Sequence, residues 1–236
     1  MQKFYAKIIC TISMAIIFSI LNLATAQQPT VANQVSSATG AKDDEALEKK
    51  ATDWTASLQL NDAGKAQKVK AAILKHLTGV RDWHNSHPAT LVPAGIDPAT
   101  GNKLSDMDRQ IIICSTKPRT IHDSLMMVLR SELDTAQTEA VLDKYTVGKV
   151  AFTLKGYRAI VPDLTTTEET EILKNLKQAR EQAIDYKSIK EVSAIFEIYK
   201  TKCEQYLNGN GRNWHQLFKT YVDKVKARKE ADKIKQ

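Results

Sequence analysis

Leu164-Thr165-Thr166-Thr167-Glu168-Glu169-Thr170-Glu171-Ile172-Leu173-Lys174-Asn175-Leu176 is the stretch from which the fold is read. The Thr165 hydroxyl suits an N-cap, and Glu168, three residues on, suits the side chain that reaches back to the cap backbone. Leu164 precedes the cap as a hydrophobic staple, and an amphipathic helix follows to Ala183. The same pairing recurs at Ser105 and Asp108, Thr120 and Asp123, Asp134 and Gln137, Ser188 and Glu191, and Asn213 and Gln216. Such a density of helix starts predicts an all-α protein. Leu60-Asn61-Asp62 and Leu133-Asp134 repeat the leucine-then-cap pattern ahead of their own helices. This is either an internal repeat or what any well-capped helix looks like.

Apolar spacing supports the same class. Leu47, Ala51, Trp54 and Leu58 mark one face of a first helix, and Ala66, Val69, Ile73, Leu77 and Val80 that of a second, ending near Trp83. Pro88, Pro93, Pro98, Gly95 and Gly101 make residues 85–103 a long loop. Pro118 separates the segment of Ile111, Ile112 and Ile113 from that of Leu125, Met126 and Leu129, and Asn208-Gly209-Asn210-Gly211 separates the last two helices. In residues 147–161, the alternation of Val150, Phe152 and Leu154 predicts a short extended stretch running into a helix. The expected architecture is an irregular bundle of about six to eight helices with antiparallel hairpins near its end.

Lys3 and Lys7, the apolar run Ile8–Leu23 and the small-x-small Ala24-Thr25-Ala26 predict a secretory signal over residues 1–26. Residues 27–42 have few large apolar side chains and are expected to be a flexible leader. Residues 43–236 are then a single helical domain, not membrane-spanning once the signal is removed, and periplasmic or secreted. Loss of Lys3 and Lys7 lowers the formal charge from +7 to +5. The basic excess gathers at the C-terminus, in Lys219, Lys224, Lys226, Arg228, Lys229, Lys233 and Lys235. It reads as a solvated helix face or as a docking patch for an acidic polymer or anionic membrane. Nucleic acid is not an expected partner, since no recognisable nucleic-acid module is present. Export permits a disulfide between Cys114 and Cys203, whereas their apolar surroundings suit buried free thiols.

Arg81-Asp82-Trp83-His84-Asn85 places a planar donor, a carboxylate, an aromatic ring and an imidazole at a helix end beside the long loop. That mixture suits a sugar, whose C–H face stacks on the ring while polar groups bracket its hydroxyls. Arg212 and Trp214 form a second cluster of this kind beside the Asn-Gly turn. The alternative is that both tryptophans pack structurally. His84 and His87 lack a carboxylate or cysteine at metal-ligand spacing, so no metal is expected. His76 and His122 read as helix-surface or partly buried polar residues. No nucleophile elbow, phosphate-binding loop or dinucleotide fingerprint occurs, and no cofactor or catalytic residue is nominated.

Tyr145-Thr146-Val147-Gly148-Lys149-Val150, Tyr157, Pro162-Asp163-Leu164-Thr165, Ala179-Arg180-Glu181-Gln182-Ala183, Phe196-Glu197-Ile198-Tyr199-Lys200 and Tyr206-Leu207-Asn208 together resemble a family of secreted domains of unknown function from Bacteroidota. Its members often accompany polysaccharide-degradation gene clusters, and sugar binding has been suggested for them. The resemblance spans about Trp54 to Trp214 and implies an exported helical protein; it carries over no catalytic residue. More weakly, Leu164-Thr165 resembles the Leu-Thr-x-x-Gln motif of periplasmic helical stress chaperones, with Glu168 where that motif has Gln. The expected function is therefore a non-enzymatic exported accessory that binds polysaccharide or oligosaccharide, contacted by Arg81, Trp83, His84, Arg212 and Trp214. The alternative is a helical chaperone for unfolded client proteins.

Overall fold

The structure, a computed structural model, describes residues 32–98 and 100–234. The expected signal at 1–26 lies outside the described residues. Among them the protein is all-α, with nine α-helices: α1 (Ala32–Ala56), α2 (Ala63–Ser86), α3 (Asp106–Ser115), α4 (Arg119–Glu132), α5 (Thr135–Thr146), α6 (Lys149–Ile160), α7 (Thr166–Ala183), α8 (Ile189–Gly209) and α9 (Trp214–Ile234). α1 begins inside the stretch expected to be a leader, and α2 runs three residues past Trp83. The chain divides into two units, Met1–Gly40 and Ala41–Gln236, and the apolar cores lie in the second.

The capping grammar accounts for most helix starts. Ser105, Asp134, Thr165 and Ser188 each form a full capping box with the predicted partner three residues on. Asn213 accepts from the Gln216 amide, and Asp62 from that of Lys65. Thr120 is the exception: α4 starts two residues earlier than a Thr120 cap would place it, with Pro118 at the cap and no side-chain hydrogen bond there. Proline fixes the backbone angle at the helix entrance and sets the start ahead of Thr120.

The extended stretch expected within 147–161 is not present. Val147 and Gly148 take left-handed backbone angles, with φ of 54° and 66°, and the chain enters α6 at once. The alternation of Val150 and Leu154 is the inner face of that helix, where both are buried, while Phe152 lies outside at 78% exposure. The expected loop begins only after Ser86, and the segment between α2 and α3 holds a 3-10 turn at Ala89–Leu91 and an isolated antiparallel bridge between Ile96 and Lys103.

Two apolar cores hold the unit together. One gathers Ala51, Val69, Ile73, Leu125, Leu129, Val141, Leu142 and Ile184 from α1, α2, α4, α5 and the α7–α8 turn. There α2 approaches α4 so closely that a Cβ at Gly79 would sit 3.2 Å from Ile121 Cγ2. The other gathers Leu154, Tyr157, Ile172, Leu176, Ile195, Phe196, Cys203 and Leu207, chiefly from α6, α7 and α8. Cys114 and Cys203 are buried free thiols, so the disulfide alternative does not hold.

Candidate functional site

The α7–α8 turn joins the two cores. Ile184 is buried in the first and Tyr186 in the second, and Asp185 stands between them. Its carboxylate faces three nitrogen donors from separate parts of the chain. His76 Nε2, from the middle of α2, lies 3.0 Å from Oδ1. Lys117 Nζ, from the α3–α4 turn, lies 3.1 Å from Oδ1. His122 Nδ1, from the first turns of α4, lies 3.1 Å from Oδ2. The Lys117 and His76 side chains are almost wholly buried, at 4% and 1% exposure.

Gathering four ionisable groups away from water carries a desolvation cost that apolar packing would avoid. Their environments also push their protonation apart. Burial alone would raise the Asp185 carboxyl, but the hydrogen bonds from His122 and His76 and the Lys117 charge hold it well below the usual carboxylate range. Burial lowers His76, despite the hydrogen bond to Asp185, and keeps it neutral. His122 moves the other way, because its hydrogen bond to Asp185 outweighs its burial. Neutral His76 donating through Nε2 leaves Nδ1 as an acceptor, and that atom is buried without a partner, as is the Tyr145 hydroxyl. The two rings meet edge to face at 5.2 Å.

Above Asp185 opens a cleft of about 680 Å3, lined in part by Gln178, Glu181, Gln182, Lys117, Arg119, His122, Tyr186 and Tyr199. Gln178, Glu181 and Gln182 project from successive turns of α7. Glu181 meets Arg130 at 3.3 Å and His122 Nε2 at 3.7 Å. Burial pushes the Tyr186 phenol up to about 12, so it remains a hydrogen-bond donor at ordinary pH. The lining is one of amides, carboxylates, an imidazole and two phenols, which complement sugar hydroxyls. Cys114 also lines the cleft, but burial raises its thiol and disfavours the thiolate that nucleophilic catalysis requires. Among the described residues no cluster of three or more His, Cys, Asp or Glu is placed to hold a metal.

The five residues predicted from sequence fall in two places. Arg81, Trp83 and His84 lie on the last turns of α2, where Arg81 pairs with Asp44 and Asp82. Trp83 stacks on His87 with centroids 3.6 Å apart. His84 Nε2 lies 2.9 Å from Glu191 Oε1 and so ties α2 to the start of α8. Arg212 and Trp214 lie beyond the far end of α8. Arg212 donates to Glu168 through Nε and Nη2, and to the Asp163 side chain and carbonyl. Trp214 packs against Tyr157 and Phe218. The structure therefore brings each predicted cluster together internally but does not join the two. None of the five lines the cleft above Asp185. Sequence reasoning misses Lys117, Glu181 and Asp185 as site residues, because nothing in their immediate neighbours along the chain marks them.

These features define a class: an all-α helical protein with a buried ionic cluster beneath a polar cleft. A family model described as "Protein of unknown function (DUF3826)" matches residues 44–227, and the chain belongs to that family. The match covers every residue of the cleft. No curated protein matches the chain. Among the described residues no helix is long and apolar enough to cross a membrane.

Proposed function

We propose that the protein is an exported, non-enzymatic accessory that binds glycan in the cleft above Asp185. The observation that carries this reading is the cleft's lining, in which Gln178, Glu181, Gln182 and His122 offer donors and acceptors beside the Tyr186 and Tyr199 rings. Polar groups of mixed donor and acceptor character bracket hydroxyls, and phenol rings meet the C–H faces of a sugar. Export rests on the first 26 residues, whose basic start, apolar run and small-x-small end support a periplasmic or extracellular location. The test is affinity electrophoresis of the protein against immobilised plant and host polysaccharides. Selective retardation that Gln178→Ala and Tyr199→Ala both reduce supports the reading. Uniform migration across the panel removes it.

One feature favours a second reading, a helical chaperone for unfolded clients. Phe152 and Phe218, at 78% and 47% exposure, flank a groove of about 550 Å3 that also holds Trp214 and Tyr221. Exposed apolar surface of this kind takes up apolar segments of other chains. Suppression of light scattering from a denatured client, weakened by Phe152→Ser, supports it; undiminished scattering removes it.

A further inference from the structure

The charge around the cleft is uneven in a way that the glycan reading does not use. Lys117, Arg119 and His122 face it from one wall, Glu181 and Asp185 from the other. Both acids already have cationic partners. Asp185 is met by Lys117 and His122, with neutral His76 as a further hydrogen-bond partner, and Glu181 by Arg130 and His122. Arg119 is different: its side chain is 87% exposed and its pairing with Asp123 is loose, at 3.7 Å. Its guanidinium fork is thus available at the cleft mouth, and such forks match carboxylates and tetrahedral oxyanions with two parallel hydrogen bonds. His122 directs Nδ1 at Asp185 and turns Nε2 toward the Glu181 side of the cleft. Both residues stand in the first turns of α4, where aligned peptide dipoles add positive potential and Pro118 supplies no side-chain cap.

We propose that the ligand is an acidic sugar, one whose ring carries a carboxylate or a sulfate ester, seated with its anionic group between Arg119 and His122. This rests on the glycan reading of the same cleft. The ring hydroxyls then meet Gln178 and Gln182 on α7, and the Tyr199 ring closes the far side. Lys117 contributes from below as part of the Asp185 cluster, holding the floor in place without leaving its own partner.

The test is isothermal titration calorimetry of the protein with three trisaccharides of matched ring stereochemistry: an oligouronate, a sulfate ester and the neutral parent. The expected result is binding of an acidic form at least about tenfold tighter than the neutral one, with the preference falling as salt is raised. Which acidic form binds more tightly distinguishes carboxylate from sulfate ester. Arg119→Gln changes an exposed side chain and should reduce the preference, lowering affinity for the acidic form more than for the neutral sugar. His122→Gln checks the second contact. Equal binding of neutral and acidic forms overturns the acidic ligand but leaves the glycan reading standing. A preference for acid that survives both substitutions overturns this seat. No binding of any trisaccharide overturns both.

Discussion

Ile184 and Tyr186 are two residues apart yet are buried in different apolar cores, and the residue between them, Asp185, carries the ionic cluster. The turn that joins α7 to α8 is therefore also the seam between the cores. Three ties from α2 converge near it: His76 to Asp185, Asn85 to Lys187 and His84 to Glu191. A polar cluster at a seam is held by packing on both sides while its upper edge stays open to the cleft. This is how a small bundle can keep a polar cluster rigid without placing it on a mobile loop.

Replacing Asp185 with Asn preserves shape but removes the charge facing Lys117, which is buried and has little water to turn to. Breaking one partner out of such a cluster costs about 3 kcal/mol. Urea denaturation of Asp185→Asn at neutral pH should show a midpoint shift of that size with an unchanged slope. A shift within the scatter of surface substitutions would mean that the cluster contributes nothing net.

The pH dependence of stability has a sign set by three groups. The depressed Asp185 carboxyl contributes stability that is present above its unfolded value of about 4 and is lost as pH falls through its lower folded value. The raised His122 contributes stability that is complete below about 6.5 and is lost as pH rises through its folded value. His76, depressed by burial, opposes it by favouring the unfolded state as pH falls below about 6.5. The difference in stability between the protein and His122→Gln should therefore shrink as pH rises from about 6 to about 9. A difference that stays constant over that range would remove His122 from the titrating set.

Arg212 closes the other end of α8 onto the α6–α7 turn. Its hydrogen bonds to Glu168 are the main cause that holds that carboxyl down at about 2, against the opposing effect of burial. Glu168 is only 4% exposed and also caps α7 through Thr165. Arg212→Ala leaves this carboxylate buried with the cap alone, at a cost of about 2 kcal/mol at neutral pH. Because the folded value is depressed, that contribution is present above about 4.3 and is lost as pH falls toward about 2. Thermal unfolding of the two proteins should thus converge in acid. A deficit that persists below that value would point to lost packing of the arginine stem instead.

Local signals are legible in the sequence and long-range ones are not. Four capping boxes can be read because each needs only residues three apart, such as Thr165 and Glu168. The α6 segment misleads because Val150, Phe152 and Leu154 alternate by spacing alone, whereas Val150 and Leu154 share one helix face and Phe152 the other. The Asp185 cluster is invisible because its histidines stand 63 and 109 residues from the carboxylate. His76 and His122 each look bland in their own helix. Only the packing of α2 and α4 beneath the α7–α8 turn makes two lone imidazoles and one carboxylate into a site.

Trp83 and Tyr199 separate the site expected from sequence from the one the cleft suggests. Trp83 is stacked on His87, and its indole Nε1 is buried without a partner. Truncating it removes a large aromatic contact and should lower stability by about 3 kcal/mol. Tyr199 is half-buried at the cleft, its ring under the Lys202 ammonium at 4.1 Å. Truncating it should cost less stability and more affinity. If glycan is held above Asp185, Tyr199→Ala weakens retardation on the responsive polysaccharide at a temperature where both variants are fully folded by circular dichroism, and Trp83→Ala migrates as the parent does. The reverse outcome, with Trp83→Ala losing binding and Tyr199→Ala retaining it, would move the sugar to the α2 terminus beside Arg81 and His84. Loss in both would mean that one ligand reaches from the α2 terminus to the cleft, a route that Gln110 marks by donating to both the His87 carbonyl and the Cys114 sulfur.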